Sequence, residues 1–208
     1  MNTIKKNNGF TLIELILVVG IIGIILSAIF SFFLSNYKTF YRSDKQIEAQ
    51  NIAQMTMDTI VKNVIDTESV YEAVDIDNAD MINNDLKDTK KIILIKEYEA
   101  SIENETTIEL VEVAYDDNKL KLRSKTENIQ ADKDKKTAID QIKTNMESVD
   151  FRDIATYVSA FKIKLIGATT DQSKDYPACK GILIQLSITI DDITVEAENQ
   201  VYFRNWKP

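Results

Sequence analysis

Histidine is missing from this chain altogether. Its absence excludes histidine-based triads, histidine general bases and histidine-ligated zinc. Cysteine occurs once, at Cys179, so no disulfide can form within the chain. Stability must then come from a packed core, and Cys179 reads as a small buried apolar residue rather than a reactive or intermolecular thiol. The five glycines form no phosphate-binding pattern. Aromatic residues are only 8% of the chain and the formal net charge is −8. Both argue against a receptor for single-stranded nucleic acid, which needs stacking rings in a basic groove. A membrane-anchored hydrolase working through aspartates is a further class, but no spacing of acids supports it. No constellation points to an enzyme.

What is present is a long apolar run with one acid near its front edge. From Leu15 to Leu34 there is no charged residue, and the interruptions are the small residues Gly20, Gly23, Ser27, Ala28 and Ser31. Twenty helical residues rise about 30 Å, the thickness of a hydrocarbon core. Small residues suit close helix packing in lipid. Lys5 and Lys6 precede the run, so the positive-inside rule keeps that end cytoplasmic and sends the remainder outward. A cleaved secretory signal is the competing reading. Its apolar core is about 7–15 residues long before a small-x-small cleavage site, whereas this run continues through Phe32, Phe33 and Leu34. Glu14 is left to explain. A carboxylate at this depth is costly unless paired, and no lysine or arginine occurs from Phe10 to Tyr37. A cut after Gly9 would create an amine at Phe10. That amine lies one helical turn from Glu14 in its own chain, or can meet Glu14 of a neighbour.

The segment "KKNNGFTLIELILVVGIIGIIL" resembles the signal of type IV prepilins and type II secretion pseudopilins. The resemblance rests on the basic leader, Gly9, Phe10, the run Thr11-Leu12-Ile13-Glu14 and the apolar helix. It implies cleavage between Gly9 and Phe10 by a prepilin peptidase and N-methylation of Phe10. It also implies that Glu14 guides docking into a filament by pairing with the amino terminus of the adjacent subunit. The domains expected are a leader over 1–9, a transmembrane assembly helix over 10–35 and an extracytoplasmic head over 36–208. Loss of two lysines with the leader takes the side-chain charge from −8 to −10.

Past the span, neither glycine nor proline occurs from Asn36 to Asp66. Tyr37, Phe40 and Tyr41 suit a membrane interface. Ala49, Ala53, Met57, Ile60, Val61 and Val64 then form one apolar stripe, with Glu48, Asn51, Asp58 and Lys62 opposite. The pattern predicts one helix from Phe10 to about Asp66, roughly 85 Å long. Its first half lies in lipid and its second half packs on the head. Ser27 and Ser31 are the candidates for local loosening, since the kinking proline common in major pilins is absent.

Beyond residue 66 the period becomes two. "KIILIKEYE" is a strand with a buried centre. "TTIELVEVAY" and "KLKLRSK" flank Asp116-Asp117-Asn118 as a hairpin, "YVSAFKIKLIG" alternates, and "ILIQLSITI" and "ITVEAENQVYFRN" flank Asp191-Asp192 as a second hairpin. Residues 125–150 read as polar, with a short helix carried by Ile139, Ile142, Met146 and Val149. The fold class expected is α+β: the long helix laid on an antiparallel sheet. Lys133, Lys135, Lys136 and Lys143, interspersed with Asp132, Asp134 and Asp140, read as a solvated mixed-charge loop. Asp75, Asp77 and Asp80 are candidate calcium ligands in an oxygen-rich loop. That loop lacks the glycine and terminal glutamate of an EF-hand, and a solvated acidic loop is the competing reading.

A second resemblance is to J-type minor pseudopilins and minor pilins. It is carried by "AQNIAQMTMDTIVKNVIDTESV", "YVSAFKIKLIG" and the closing Val201 to Asn205. It implies a minor subunit that helps initiate and cap a type IV pilus or secretion filament. Its partners would be other minor pilins, the major pilin, the assembly platform and the bilayer. It would reside in the cytoplasmic membrane and then near the filament tip. Because Glu14 is present, unlike in the usual K-type tip component, the subunit should sit beneath another. A filament-displayed adhesin or DNA receptor is the alternative function.

Overall fold

The computed structural model describes residues 11–77, 79, 81, 85–100, 104–130, 134–167 and 179–205. Two units divide the chain, residues 1–45 and 46–208. Helix α1, Leu12–Ile65, begins in the first and ends in the second. It runs unbroken through Ser27 and Ser31. Ser27 returns its hydroxyl to the carbonyls of Gly23 and Ile24, both at 3.1 Å, which satisfies the group inside the helix. Within the first unit no described side chain of α1 is buried.

In the second unit the stripe expected from the sequence is the buried face. Ala49, Ala53, Met57, Ile60 and Val64 are buried and Val61 packs against them, whereas Asn51, Asp58 and Lys62 are exposed. Among the described residues eight strands follow: β1 (Ser69–Asp75), β2 (Lys87–Glu99), β3 (Glu105–Asp116), β4 (Lys119–Gln130), β5 (Arg152–Ala155), β6 (Val158–Ile166), β7 (Gly181–Ile190) and β8 (Ile193–Tyr202). Helix α2, Lys135–Met146, lies between β4 and β5. The spatial order is β5-β4-β3-β2-β6-β7-β8, all antiparallel, with β1 also beside β2. The sheet forks at β2. Lys87 and Asp88 pair with β6, and from Thr89 onward the same edge pairs with β1. This is the α+β, pilin-like architecture expected.

The run Ile92-Ile93-Leu94-Ile95 is apolar at every position because both faces of β2 are covered. Ile92 and Leu94 join the stripe of α1 in the main core, while Ile93 and Ile95 join Ala138, Ile139, Ile142 and Met146 of α2 in a second core. Each such side chain stabilises the fold by about 1.5–3 kcal/mol through burial. Two expectations need correction. Residues 125–130 are not part of a polar connection but the end of β4, paired with β3 as far as Gln130 opposite Glu105. Lys135 and Lys143 do not lie in a solvated loop. They stand on α2 and fasten it to the sheet: Lys135 to Glu97 at 2.8 Å and Glu68 at 3.3 Å, Lys143 to Glu72 at 2.6 Å. Lys133 is outside the described residues.

The chain end closes the fold. Arg204 donates its N–H to the carbonyl of Ile65 at 2.9 Å and pairs with Asp66 at 3.2 Å, and Asn205 donates to the Asp66 carbonyl. Carbonyls at a helix C-terminus lack partners within the helix, so Arg204 and Asn205 serve as the cap of α1. Gly181 is fixed by close approach: a Cβ there would stand 2.3 Å from the Val201 carbonyl oxygen. Cys179 is buried, as expected, and donates its Sγ–H to the Gly181 carbonyl.

Candidate assembly and processing site

The assembly residue Glu14 sits in the first turn of α1, exposed. Gly9 and Phe10 lie outside the described residues, so the cleavage and methylation positions do too. Thr11 is the N-cap: its carbonyl accepts from the N–H of Leu15 at 3.2 Å. The Thr11 hydroxyl accepts the Glu14 N–H at 3.4 Å, and the Thr11 N–H points back at Glu14 Oε2 at 3.5 Å. This is the reciprocal capping box of a Thr-x-x-Glu sequence. The expectation that Glu14 has no local partner therefore needs qualifying. A backbone N–H and the N-terminal end of the helix lie beside its carboxyl group. Both side-chain contacts are long for hydrogen bonds, so the carboxylate keeps acceptor capacity for a further partner. The signal was visible as Thr11-Leu12-Ile13-Glu14; the search for a full countercharge passed over it.

Around Glu14 the helix offers open surface. A Cβ at Gly20 or Gly23 would meet nothing within 4 Å. Leu12, Ile13, Ile24, Phe30, Phe32 and Phe33 are each at least 63% exposed. This segment is long and apolar enough to cross a membrane. Tyr37, Phe40 and Tyr41 follow it, also exposed.

Of the calcium candidates, Asp75 and Asp77 are among the described residues. Asp75 is buried at the end of β1, where Oδ1 accepts the N–H groups of Asp77 and Ala79 at 3.0 and 2.9 Å. It is used to close a turn. Asp77 is exposed and Asp80 lies outside the described residues. Among the described residues no group of three or more acids or cysteines is placed to hold a metal ion. Burial pushes the Cys179 thiol up to about 11, which makes it a poor nucleophile at neutral pH.

A family model described as the prokaryotic N-terminal methylation motif matches residues 4–30. No curated protein and no solved structure matches the chain. The match takes in Lys5, Lys6, Gly9, Phe10, Glu14 and the apolar run as far as Phe30. Such a motif implies processing by a prepilin peptidase, anchoring in a membrane and assembly with pilins, and proteins that carry it are structural subunits rather than enzymes. The motif, followed by a helix that crosses from apolar exposure to an antiparallel sheet, supports a type IV pilin-like protein.

Proposed function

We propose that the chain is a minor pilin or pseudopilin that helps initiate and cap a type IV pilus or type II secretion-like filament. A prepilin peptidase cuts after Gly9 on the cytoplasmic face and methylates Phe10. Until assembly the subunit rests in the membrane by the span of α1. Glu14 then leaves the weak capping contact and takes the amine of the adjacent subunit, which is the stronger, charge-assisted partner. The closely packing small residues Gly20, Gly23, Ser27 and Ala28 give neighbouring helices room to approach. Working among other minor pilins, the subunit sits beneath a tip component that lacks the acid.

The observation that carries the reading is a carboxylate held in the first turn of a fully exposed apolar helix, inside a methylation motif. Glu14→Ala should insert and fold normally, since removing an acid makes the span more apolar, yet be depleted from sheared filaments. Quantitative mass spectrometry of native filaments tests the minor role. The chain should be far less abundant than the major subunit and co-purify with one or two other prepilin-type proteins. If it were the most abundant component, the minor role would be wrong.

A further inference from the structure

Two turns and the end of a strand meet at one end of the sheet. Asp117 and Asn118 form the two-residue β3–β4 turn, with φ of 49° and 56°, the geometry of a type I′ hairpin. Thr156 and Tyr157 join β5 to β6, and the end of β7 brings Thr189 alongside. Backbone hydrogen bonds tie the three together: Val158 N–H to the Asn118 carbonyl at 2.9 Å, and Thr189 N–H to the Tyr157 carbonyl at 2.8 Å. Between them lies a cleft of about 550 Å³, within the size range of small-ligand sites.

Tyr157 sits in the two-residue connection between β5 and β6. It has φ of 63°, a region that bulky side chains rarely adopt, and its ring is 52% exposed. Tyr157 lines the cleft and is exposed rather than packed in the core. Across from it the Thr189 hydroxyl joins those of Ser159 and Thr194 at 2.9 and 3.0 Å, a chain of neutral donors and acceptors. The turn adds the Asp117 carboxylate and the Asn118 amide.

We propose that this cleft is a carbohydrate-binding site, with Tyr157 stacking on the apolar face of a pyranose ring. Asp117, Asn118 and the threonine and serine hydroxyls would bond its equatorial hydroxyls. Charge narrows the class to neutral sugars. The one cation in the cleft, Lys119, is held by Asp153 at 3.0 Å, so an anionic ligand would find no free countercharge there. A proline-rich peptide also lies on aromatic rings, but such grooves use several of them, and this cleft has one. The site stands on the head alone and does not depend on the assembly reading.

The test is a titration of the ¹⁵N-labelled full chain in dodecylphosphocholine micelles, which carry no sugar headgroup. The probes are glucose, galactose, N-acetylglucosamine, N-acetylgalactosamine, cellobiose and chitobiose. At least one should shift the amides of Asn118, Val158 and Thr189 with a dissociation constant on the order of 1 mM. Tyr157→Phe keeps the ring and should bind as the native chain does. Tyr157→Asn tolerates the same φ without the ring and should bind about tenfold more weakly, with the remaining spectrum unchanged. The proposal is overturned if no probe shifts these amides, if Tyr157→Asn binds as well as the native chain, or if a polyproline peptide shifts them and the sugars do not.

Discussion

Helix α1 is built to two rules. Residues 12–45 bury no side chain, and hydrophobic residues face outward on all sides. Residues 46–65 bury Ala49, Ala53, Thr56, Met57, Ile60 and Val64 along one stripe and expose polar groups on the other. The first pattern has no solvent to hide from if the solvent is lipid, so apolar residues need no preferred side. The second belongs to a helix with water on one face and a core on the other. One unbroken helix thus carries two different sources of stability. A substitution should report which half it falls in.

The largest contrast is in the core. Phe161 is fully buried beside the stripe of α1. Phe161→Ala should cost the head about 3–5 kcal/mol in chemical unfolding followed by circular dichroism. Leu17→Ala, in the exposed half, should leave that transition where it is. Equal losses would mean that the first half also contributes to the head's core. Next is insertion. Ile21→Arg should disfavour insertion by about 2.5–3.5 kcal/mol, read as a shift from the membrane to the soluble fraction, while the head unfolds at the native midpoint.

Two glutamates on β1 and its approach sharpen the account of the head through pH. Burial alone would raise the Glu72 pKa, but hydrogen bonds and charge from Lys143 and Lys91 outweigh it and hold the carboxyl below its ordinary value of 4.5. Its folded pKa is lower than its unfolded one, so its stabilisation is present above about pH 4.5 and lost as the pH falls through the folded value. Glu72→Gln should be less stable than the native chain at pH 7, with the gap closing on acidification. Glu68 runs the other way. Burial and a hydrogen bond to Glu97 raise it against the pull of Lys135, so its contribution is present below pH 4.5 and lost as the pH rises through the folded value. Glu68→Gln should therefore gain on the native chain over that rise. Parallel pH curves for both variants would contradict the assigned partners. The smallest effect expected is that of a thiol reagent. Buried Cys179, with its pKa near 11, should resist alkylation at pH 7.5 until the head unfolds.

Most of the architecture was legible because its signals are local. Ala49 to Val64 kept a helical period, Asp117-Asn118 announced a hairpin, and the unbroken Ile92 to Ile95 run announced a strand with a buried centre. What escaped depended on distant partners. β1, Ser69–Asp75, follows α1 after three residues and is recognisable mainly by pairing with β2. The end of β4 looked polar because Lys125, Glu127 and Asn128 stand opposite Leu110, Ile108 and Thr107 on a partly exposed strand. Val201 to Asn205 stood out as a resemblance, and the physical role of Arg204 and Asn205 as the cap of α1 needed residues 139 positions apart. At the assembly site Glu14 was found from its cost in lipid and from the prepilin resemblance, and its capping partner Thr11 was written three residues before it. The cleft at Tyr157 was not foreseen, since two turns and a strand end far apart in sequence build it.

The central claim is that Glu14 belongs to an assembly helix whose final amine is made by processing. Intact-mass spectrometry of the chain, isolated from membranes of cells with an active prepilin peptidase, tests it most directly. The account predicts a single mass beginning at N-methylated Phe10, and retention of residues 1–9 when Gly9 is replaced by a bulky residue. A native chain that keeps Met1 to Gly9 under those conditions would contradict it.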